Sequence, residues 1–518
     1  MPDVFIIGGG PAGATAARLL ASWGWSVQVA HRSSTIGASR PSLAESLPPS
    51  TRKLLTFLGQ LEAVDAAGFH PNHGNIARWA GASHVTHTDA PGLHVSRAAF
   101  DRILRESARV SGARFFDAVV RRVELSDPVR VHSVTRDGRS ETCRARYVLD
   151  CSGRAGVVAR RGLRRLESRY RTIAIAAEWA CDRWPVSEQA HTIVESYNDG
   201  WAWSVPLSAT RRQCTVMIDP YDPHRSRSDH RDRTGSRSSN GSARAEDSVL
   251  NAVYLREIAK TNEIGARLTH ARQDAAPWAC DASLYHAPRA ADGRALLVGD
   301  AASFIEPLSS AGVKKALTSA WRAAVVANTC LSKPDMESAA MDFFVARERE
   351  VHAECRRMSA RFFDDAAAAY DDRFWRARAG SVNGERAVPG EDGRPGPPVD
   401  VELARDPAVR RAFDRLRDAS LGRLRPAASL RFEPAAAIEG REVVMRDALV
   451  LPDADAPMRF AAGVNLPALV RLARQCDQVS ALISAYHSEI GPVPVQGLLT
   501  GLSLLVARHA LIDEDSSL

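Results

Sequence analysis

The chain has 518 residues, enough to bury a large core and to form two or more structural units. The apolar fraction of 45% and the charged fraction of 25% are ordinary for a globular protein, and no apolar stretch approaches the ~18 residues of a membrane span. The net charge is +7, but the basic residues are spread along the chain and mixed with acidic ones. This absence of a basic cluster argues against nucleic acid as a partner. The N-terminus enters a strand without a basic leader, which predicts a cytoplasmic protein with no membrane span.

The eight cysteines are scattered, with neither a Cys-x-x-Cys pair nor a Cys/His cluster at metal-ligand spacing. We therefore predict no metal site and no disulfide framework. Lysine is rare among the basic residues, which are almost all arginine. Where a lysine survives, it marks a place that a compact amine suits better than a planar guanidinium. The lysines are Lys53, Lys260, Lys314, Lys315 and Lys333.

The first thirty residues carry the clearest pattern in the chain. An apolar strand leads into a glycine turn and then a helix of small residues, followed by a second strand at 26–30. Gly8 permits the tight turn, Gly10 lets the backbone approach a pyrophosphate, and Gly13 lets the helix press on the strand. The free N–H groups at the start of the helix suit phosphate. This pattern predicts a dinucleotide-binding βαβ unit.

The second strand of that unit lacks the acidic residue that usually holds the adenosine ribose. Ala30-His31-Arg32 stands in its place. A ribose contact and a phosphate contact from His31 or Arg32 both remain open. The departure disfavours NAD(H) at this site and leaves FAD as the better prediction.

The next residues alternate loops, helices and strands. A loop with three prolines at 39–50 precedes a short helix at 51–58, which ends at Gly59. Ser96 is a suitable N-cap for a helix that begins at Arg97. Two strands are predicted at 119–125 and 129–135, and a buried strand at 147–150 rejoins the nucleotide sheet.

Alternating strands from 172 to 219 predict a second sheet that faces the substrate. Trp201 and Trp203 lie two residues apart, hence on one face of a strand. They are either core residues or an aromatic wall beside a cofactor or substrate. Residues 225–247 are polar and predict a disordered insertion, and 380–400 reads as a linker. Apolar residues at helical spacing in 466–511 predict three short helices that form a winged-helix-like cap.

A further segment looks like the other half of a flavin site. A buried strand at 295–298 delivers Gly299 and Asp300 to a turn, where a carboxylate accepts hydrogen bonds from a polyol chain. A loop with Pro307 then feeds a helix that begins near Gly312 and Val313. The dipole of that helix favours the negative charge of reduced flavin.

These motifs together resemble the three sequence marks of group A flavoprotein monooxygenases and their halogenase relatives. The marks are the Gly8–Gly13 turn, the Arg97 helix, and Gly299-Asp300 followed by Pro307 and Gly312, within about residues 1–344. The resemblance implies that the Gly8 turn holds the ADP part of FAD, that Arg97 lies beside the cofactor, and that Asp300 binds the ribityl chain.

The resemblance implies an α/β fold with a Rossmann-like FAD-binding domain of the glutathione-reductase type. We place its two parts at 1–170 and 286–379, with an inserted mixed β-sheet substrate domain at 171–285. A linker at 380–400 then precedes a helical, winged-helix-like domain at 401–518.

The Trp-x-Trp-x-x-Pro run at 201–206 is similar to the signature of tryptophan halogenases. Two halogenase features are missing, however. The acid that follows the Asp-Pro-Leu-like turn is Ser309 here, and the region after Gly59, where halogenases place a lysine, has none before Lys260. Halogenation is therefore the alternative and not the leading hypothesis.

A combination of motifs instead resembles flavoproteins that hydroxylate a tryptophan during the biogenesis of tryptophylquinone cofactors. The motifs are Glu45-Ser-Leu-Pro-Pro, the Trp-x-Trp pair, Glu306-Pro-Leu-Ser-Ser-x-Gly-Val-Lys-Lys and a helical tail. The resemblance implies an aromatic substrate that is either a small molecule or a partner polypeptide bound with help from the tail.

The leading hypothesis is thus an FAD-dependent monooxygenase that hydroxylates an aromatic ring through a flavin C4a-hydroperoxide. Either Lys314 or Lys315 stabilises the reduced flavin or the peroxide, or both face solvent. Glu45 contacts flavin or substrate, or caps the helix that follows it. No general base is evident.

No second Gly-x-Gly-x-x-Gly follows the first. Electrons would therefore come from a partner flavin reductase or from NAD(P)H that docks transiently. The rivals are a halogenase, a flavin-dependent reductase of a prenyl double bond, and a flavin-binding DNA regulator, which the diffuse basic charge disfavours.

Overall fold

The computed structural model describes residues 1–32, 42–182, 184–185, 189–221, 242–380, 406–418, 422–452 and 457–514. The chain forms two compact units, Met1–Glu385 and Arg386–Leu518. Within the described ranges, none of the helices combines the length and the apolar character needed to cross a membrane.

The first unit contains an eight-stranded sheet whose five central strands are parallel. Strand Val4–Ile7 lies in its middle and is fully buried, as its apolar sequence predicts for a strand covered on both faces. The order across the sheet is Ala291–Asp292, Ala295–Leu297, Tyr147–Asp150, Val4–Ile7, Val27–His31, Arg114–Glu124, Val129–Thr135 and Ser140–Ala145. This arrangement confirms the predicted α/β fold with a Rossmann-like nucleotide sheet.

The second sheet of this unit has nine strands and is mixed, because His191–Tyr197 runs parallel to His70–Trp79 while its other pairs are antiparallel. Three of its strands come from residues 44–96, which we had predicted to belong to the FAD domain. Their membership depends on pairing between His70–Trp79 and His191–Tyr197, and no local sequence pattern predicts a pairing over such a distance. The strands are Arg272–Gln273, Ile173–Ala180, Arg211–Ile218, Gly200–Pro206, His191–Tyr197, His70–Trp79, Ala82–Ser96 and Ala44–Leu47, with Trp278–Asp281 beside Ile173–Ala180.

A three-stranded sheet, Arg165–Leu166, Tyr285–His286 and Ser303–Phe304, also belongs to the first unit. The helix Pro11–Ser22 packs beside Arg97–Val110 and Gly312–Ser332. The helices of the unit are Pro11–Ser22, Pro49–Phe57, Leu61–Asp65, Arg97–Val110, Ser242–Ile258, Glu263–Leu268, Gly312–Ser332, Glu337–Ala369 and Arg373–Arg376.

Several local predictions need correction. Ser96 stands at the N-cap of Arg97–Val110 but its side chain does not cap the helix. Ser42 does so instead: its Oγ accepts from the Ala98 N–H at 2.7 Å and from the Ser96 hydroxyl. The end of the predicted disordered insertion, from Ser242, is helical. The rest of that insertion, and the predicted linker beyond Gly380, lie outside the described residues.

The second unit is helical with short sheets, as predicted for the C-terminal region. Its core is apolar and includes Leu469, Leu482 and Leu498, one from each of the three predicted helices. The helices are Pro407–Arg417, Leu466–Ala473, Val479–Glu489 and Val495–Ala507, and the strand pairs are Leu424–Pro426 with Leu511–Asp513, Arg431–Glu439 with Glu442–Val450, and Phe460–Ala461 with Val464–Asn465.

Candidate active site

The glycines of the turn after strand Val4–Ile7 have different structural roles. Gly8 has φ +100, and a Cβ there would meet the Cys151 carbonyl oxygen at 2.5 Å. A Cβ at Gly13 would overlap the carbonyl oxygen of Gly8. A Cβ at Gly10 would meet only Asp101 Oδ2, at 3.9 Å. Gly8 and Gly13 are thus needed by the fold itself, whereas Gly10 leaves open space at the start of helix Pro11–Ser22.

This difference predicts opposite outcomes for two single-methyl substitutions. Gly13→Ala should destabilise the unit by about 1–3 kcal/mol, because the methyl group overpacks the turn. Gly10→Ala should leave the free energy of unfolding within ~0.5 kcal/mol of the original yet weaken FAD binding, because the methyl occupies space left for a pyrophosphate. Urea unfolding of the flavin-free protein and flavin titration measure the two effects. Equal loss of stability in both variants would contradict this division of roles.

A cavity of about 310 Å³ lies against the turn and gathers residues that are far apart in the sequence. Helix Pro11–Ser22 and helix Gly312–Ser332 both begin there, and neither has a capping side chain among the described residues. Their N-termini therefore offer positive potential to the cavity. The predicted site residues that line it are Gly8, Gly10, Glu45, Arg97, Asp300, Gly312 and Val313.

Other predicted site residues do not line this cavity. Gly299 supplies the turn, with φ +63, and its N–H donates to Ser319 Oγ at 2.9 Å. Arg32 is exposed after the end of its strand and does not line the cavity. His31 lies against the Gly9 position, and burial lowers its pKa to about 4, so its ring is neutral at neutral pH.

Arg97 ties together two carboxylates at the cavity. Its Nη1 donates to Glu45 Oε1 at 3.2 Å and its Nε to Asp101 Oδ1 at 2.9 Å. Burial raises the pKa of Glu45, against the charge of Arg97. Glu45 lies in strand Ala44–Leu47 and binds Arg97, so the open alternative that it caps the following helix is wrong.

The two adjacent lysines have different environments. Lys314 is half-buried and donates to Ser50 Oγ at 3.2 Å. Lys315 is 5% exposed, and its Nζ donates to the carbonyl oxygens of Gly299 and Ser303 and lies 3.3 Å from Asp300 Oδ1. The alternative that both face solvent is therefore wrong for Lys315. Neither lysine lines the cavity.

A second cavity, of about 290 Å³, shares Phe304 and Ile305 with the first. Its wall is formed by the three-stranded sheet and by helix Glu337–Ala369. Both aromatic and charged side chains line it. His286 stacks on His352, with ring centroids 4.6 Å apart. Its lining includes Glu167, Arg169, Tyr170, Tyr285, His286, Phe304, Glu306, His352, Arg356 and Phe363.

Glu306 is the most deeply buried charged group of this second cavity, with 2% exposure. Burial raises its pKa to about 7, and the charge of Arg378 and the neighbouring Trp201 indole act in the opposite direction. From the sequence, Glu306 was part of a family-like motif but had no predicted role of its own. The sequence feature that could have identified it is a carboxylate placed directly after the apolar residues Phe304 and Ile305.

The tryptophan pair occupies the core. Trp201 is 1% exposed, packs with Met217, Phe363 and Trp375, and lines neither cavity. Trp203 is half-buried and stacks on Trp201, with ring centroids 5.0 Å apart. Of the two alternatives left open for the pair, the core position is therefore the one that Trp201 adopts, against Phe363 of helix Glu337–Ala369. Trp203 also lines neither cavity.

Among the described residues, no three His, Cys, Asp or Glu side chains are grouped so that they could hold a metal ion. None of the eight cysteines, all of which are described, forms a disulfide. The site geometry is thus that of a nucleotide-binding cavity joined by a shared wall to an aromatic one.

A nucleotide sheet, a glycine turn and a cavity between two helix N-termini define a flavoenzyme that binds FAD. Residues 1–326 match the family model described as FAD binding domain, and the chain belongs to this family. The protein is thereby an FAD-dependent oxidoreductase of the class that includes flavin-dependent halogenases and monooxygenases.

One protein is similar to this chain in sequence, and two solved structures are similar to it in fold. The tryptophan 2-halogenase of Chondromyces crocatus is 29% identical over 395 residues, which cover 72% of this chain and 70% of the relative. The flavin-dependent halogenase CmlS has a TM-score of 0.73 at 24% identity, covering 99% of this chain and 96% of CmlS. The peptidyl tryptophan dihydroxylase QhpG, essential for tryptophylquinone cofactor biogenesis, has a TM-score of 0.62 at 21% identity, covering 99% and 100%.

These names support halogenation, our alternative, better than the hydroxylation that the sequence analysis placed first. Both structural likenesses are below 25% identity and show the fold alone. The choice between the two reactions therefore depends on the site.

Proposed function

We propose that this protein uses FAD and O2 to insert oxygen into an electron-rich aromatic ring held in the second cavity. The observation that carries the proposal is the wall of Phe304 and Ile305 shared by the two cavities. A flavin in the first cavity and an aromatic ring in the second would be separated only by this wall.

The residues of the first cavity suit FAD. The open space at Gly10 and the start of helix Pro11–Ser22 would receive the pyrophosphate, and Asp300 the ribityl chain. The start of helix Gly312–Ser332 would face the negative charge of reduced flavin. Arg97, held by Glu45 and Asp101, would lie beside the cofactor. When bound, FAD supplies electron transfer to O2 and its activation.

The second cavity suits a planar ring with an electron-rich face. The Arg154 guanidinium lies 4.1 Å from the centroid of Phe304, and that of Arg164 lies 3.8 Å from the centroid of Tyr285. These cations hold the aromatic walls in place. Buried walls of this kind exclude water from a reactive oxidant. The substrate class that we propose is a phenol or an indole.

We extend the proposal to a tryptophan side chain in a partner polypeptide, received with help from the second unit. The resemblance of the Glu45-Ser-Leu-Pro-Pro and Glu306-Pro-Leu-Ser-Ser motifs to flavoproteins of tryptophylquinone biogenesis supports this extension, and a peptidyl tryptophan dihydroxylase shares the fold. Electrons would come from NAD(P)H, either directly or through a flavin reductase.

Halogenation is the second candidate, because curated relatives that match more than half of the chain are named halogenases. A halogenase has to hold hypohalous acid on its way to the substrate, which its family does with a lysine. Among the described residues, no lysine lines either cavity. Lys315, beside Asp300, is bonded to the carbonyl oxygens of Gly299 and Ser303. The side chains present therefore favour oxygen insertion.

Product mass separates these reactions. The reduced holoenzyme is exposed to O2 with free tryptophan, a tryptophan-containing peptide or phenol, in buffers with and without chloride and bromide. We expect a gain of one or two oxygen atoms that does not depend on halide. A halide-dependent replacement of hydrogen by halogen would establish the second candidate. Reduction of a prenyl double bond without O2 would instead support the reductase.

A bulky substitution tests the location of the substrate. Ser359 lines the second cavity and is 6% exposed, whereas Met358, its neighbour on the same helix, is 37% exposed. Ser359→Trp should abolish product formation while FAD remains bound, and Met358→Trp should preserve both. Unchanged product formation in Ser359→Trp would place the substrate elsewhere.

A further inference from the structure

We propose that Glu306 is the acid–base group of this enzyme and that it takes the proton which the aromatic ring loses as the new substituent is installed. The inference rests on the proposed function and adds to it a residue for the last chemical step. No general base was evident in the sequence, and only the fold reveals one.

Bound FAD would supply the two-electron reduction of O2, with NAD(P)H as the reductant. One oxygen atom would then be transferred to a ring carbon and the other would leave as water. The attacked carbon then carries both hydrogen and oxygen. Its C–H bond breaks, the electron pair returns to the ring and restores aromaticity, and the Glu306 carboxylate accepts the proton. Release of that proton to water completes the cycle.

The position of Glu306 suits this role. Ile305, before it, lines both cavities, and Pro307, after it, lines the flavin cavity. Glu306 itself lines the second cavity, where Glu167 is the other carboxylate among the described residues. Glu167 is bonded to Arg169 at 3.3 Å and so stays ionised. Glu306 is therefore the carboxyl group of the second cavity that directly follows the shared wall in the chain.

The groups around Glu306 come from several elements. Trp201 contributes its indole from strand Gly200–Pro206, and Arg378 contributes a positive charge. Arg378 also donates to the carbonyl oxygens of Phe374 and Arg171 and to Thr172 Oγ1. Tyr170 lies under the Arg378 guanidinium, and burial together with the charge of Glu306 raises its pKa.

Helix Glu337–Ala369 adds Arg356 and His352 to the same cavity. Burial lowers the pKa of His352 to about 3, so it contributes no charge at neutral pH. Arg378 is the cation that acts on Glu306, whereas Arg165, Arg169 and Arg356 line the cavity. Burial of Glu306 outweighs the charge of Arg378. Both forms of Glu306 are then populated near neutral pH, as proton exchange requires.

The first test needs no turnover. In holoenzyme carrying ¹⁵N-labelled tryptophan, the Trp201 indole resonance, assigned with Trp201→Phe, reports the charge of its neighbour. We expect it to shift with a midpoint near pH 7. Glu306→Gln should abolish the shift, and Glu167→Gln, from the same cavity, should retain it. A resonance that does not move in this range, or that still moves in Glu306→Gln, overturns the assignment.

The second test follows product formation with whichever of tryptophan, the tryptophan peptide or phenol the unmodified enzyme oxidises. Glu306→Gln should lower the rate by roughly 100-fold or more and remove the limb of the pH profile near neutrality, and Glu306→Asp should restore that limb. An unchanged profile in Glu306→Gln overturns the catalytic role. If the unmodified enzyme forms no product, the proposed function falls and this role with it. A Trp201 shift that persists in that case shows that the ionisation was assigned correctly and that the chemistry was not.

Discussion

Replacing Lys315 by methionine is expected to lower the free energy of unfolding of the first unit by ~3–5 kcal/mol and to release FAD. The ammonium group is 5% exposed and donates to the carbonyl oxygens of Gly299 and Ser303, beside Asp300. Methionine keeps the length of the side chain but leaves these acceptors without their donor, and such buried groups are expensive to leave unpaired. The same substitution frees the turn that carries Asp300 into the first cavity, where we propose that FAD binds.

Lys314 provides the matched control, since it is the preceding residue on the same helix. Its amine donates to Ser50 Oγ at a half-buried position, so Lys314→Met should change the free energy of unfolding by less than about 1 kcal/mol. Urea unfolding and the recovery of free-flavin fluorescence measure both variants. Comparable losses in the two variants would show that Lys315 does not anchor the turn.

The sequence showed that this lysine pair was unusual but not which member points inward. Successive residues on a helix differ in direction by about 100°, and packing decides which direction is the interior. Helix Gly312–Ser332 lies between helix Pro11–Ser22 and helix Glu337–Ala369. That placement, which turns Lys315 toward Gly299, comes from tertiary contacts.

Several residues of the first cavity were accessible to prediction because the constraints on them are local. The glycine spacing, the strand before it and the turn at Gly299 each act within a few residues. The second cavity was not accessible in this way. It combines segments near 165–170, 284–286, 304–306 and 352–363, and no short motif joins them.

The tryptophan pair illustrates a similar limit. The period of a strand correctly places Trp201 and Trp203 on one face, where their rings stack. Which layer covers that face depends on Phe363 and Trp375, more than a hundred residues further along the chain. A pattern of period two therefore identifies the face but not its partner.

The contribution of Glu306 to the free energy of unfolding should fall as pH rises. Burial shifts its pKa from the ordinary 4.5 to about 7 in the folded state. Below the unfolded value, both states carry the proton. As pH rises toward the pKa of the folded state, the unfolded chain releases the proton while the folded protein retains it. The unfolded state is therefore stabilised relative to the folded state. The total loss is roughly 3 kcal/mol.

Glu306→Gln removes this titration. Relative to the unmodified protein, its free energy of unfolding should therefore increase by roughly 3 kcal/mol between about pH 4 and about pH 8, whatever the offset at the acidic end. Urea unfolding at a series of pH values measures the difference. Two parallel stability curves would mean that Glu306 keeps an ordinary pKa.

Glu167 gives a control of opposite sign within the same cavity. Burial opposes ionisation there, but hydrogen bonds from the side chain and backbone of Arg169 outweigh it and lower the pKa of Glu167. A lowered carboxyl pKa contributes stability above the unfolded value, and that stability is lost as pH falls. Glu167→Gln should therefore lose stability relative to the unmodified protein as pH rises, where Glu306→Gln gains it. Opposite slopes from two carboxylates in one cavity would show that the environment of each side chain, and not a general effect of charge removal, sets the response.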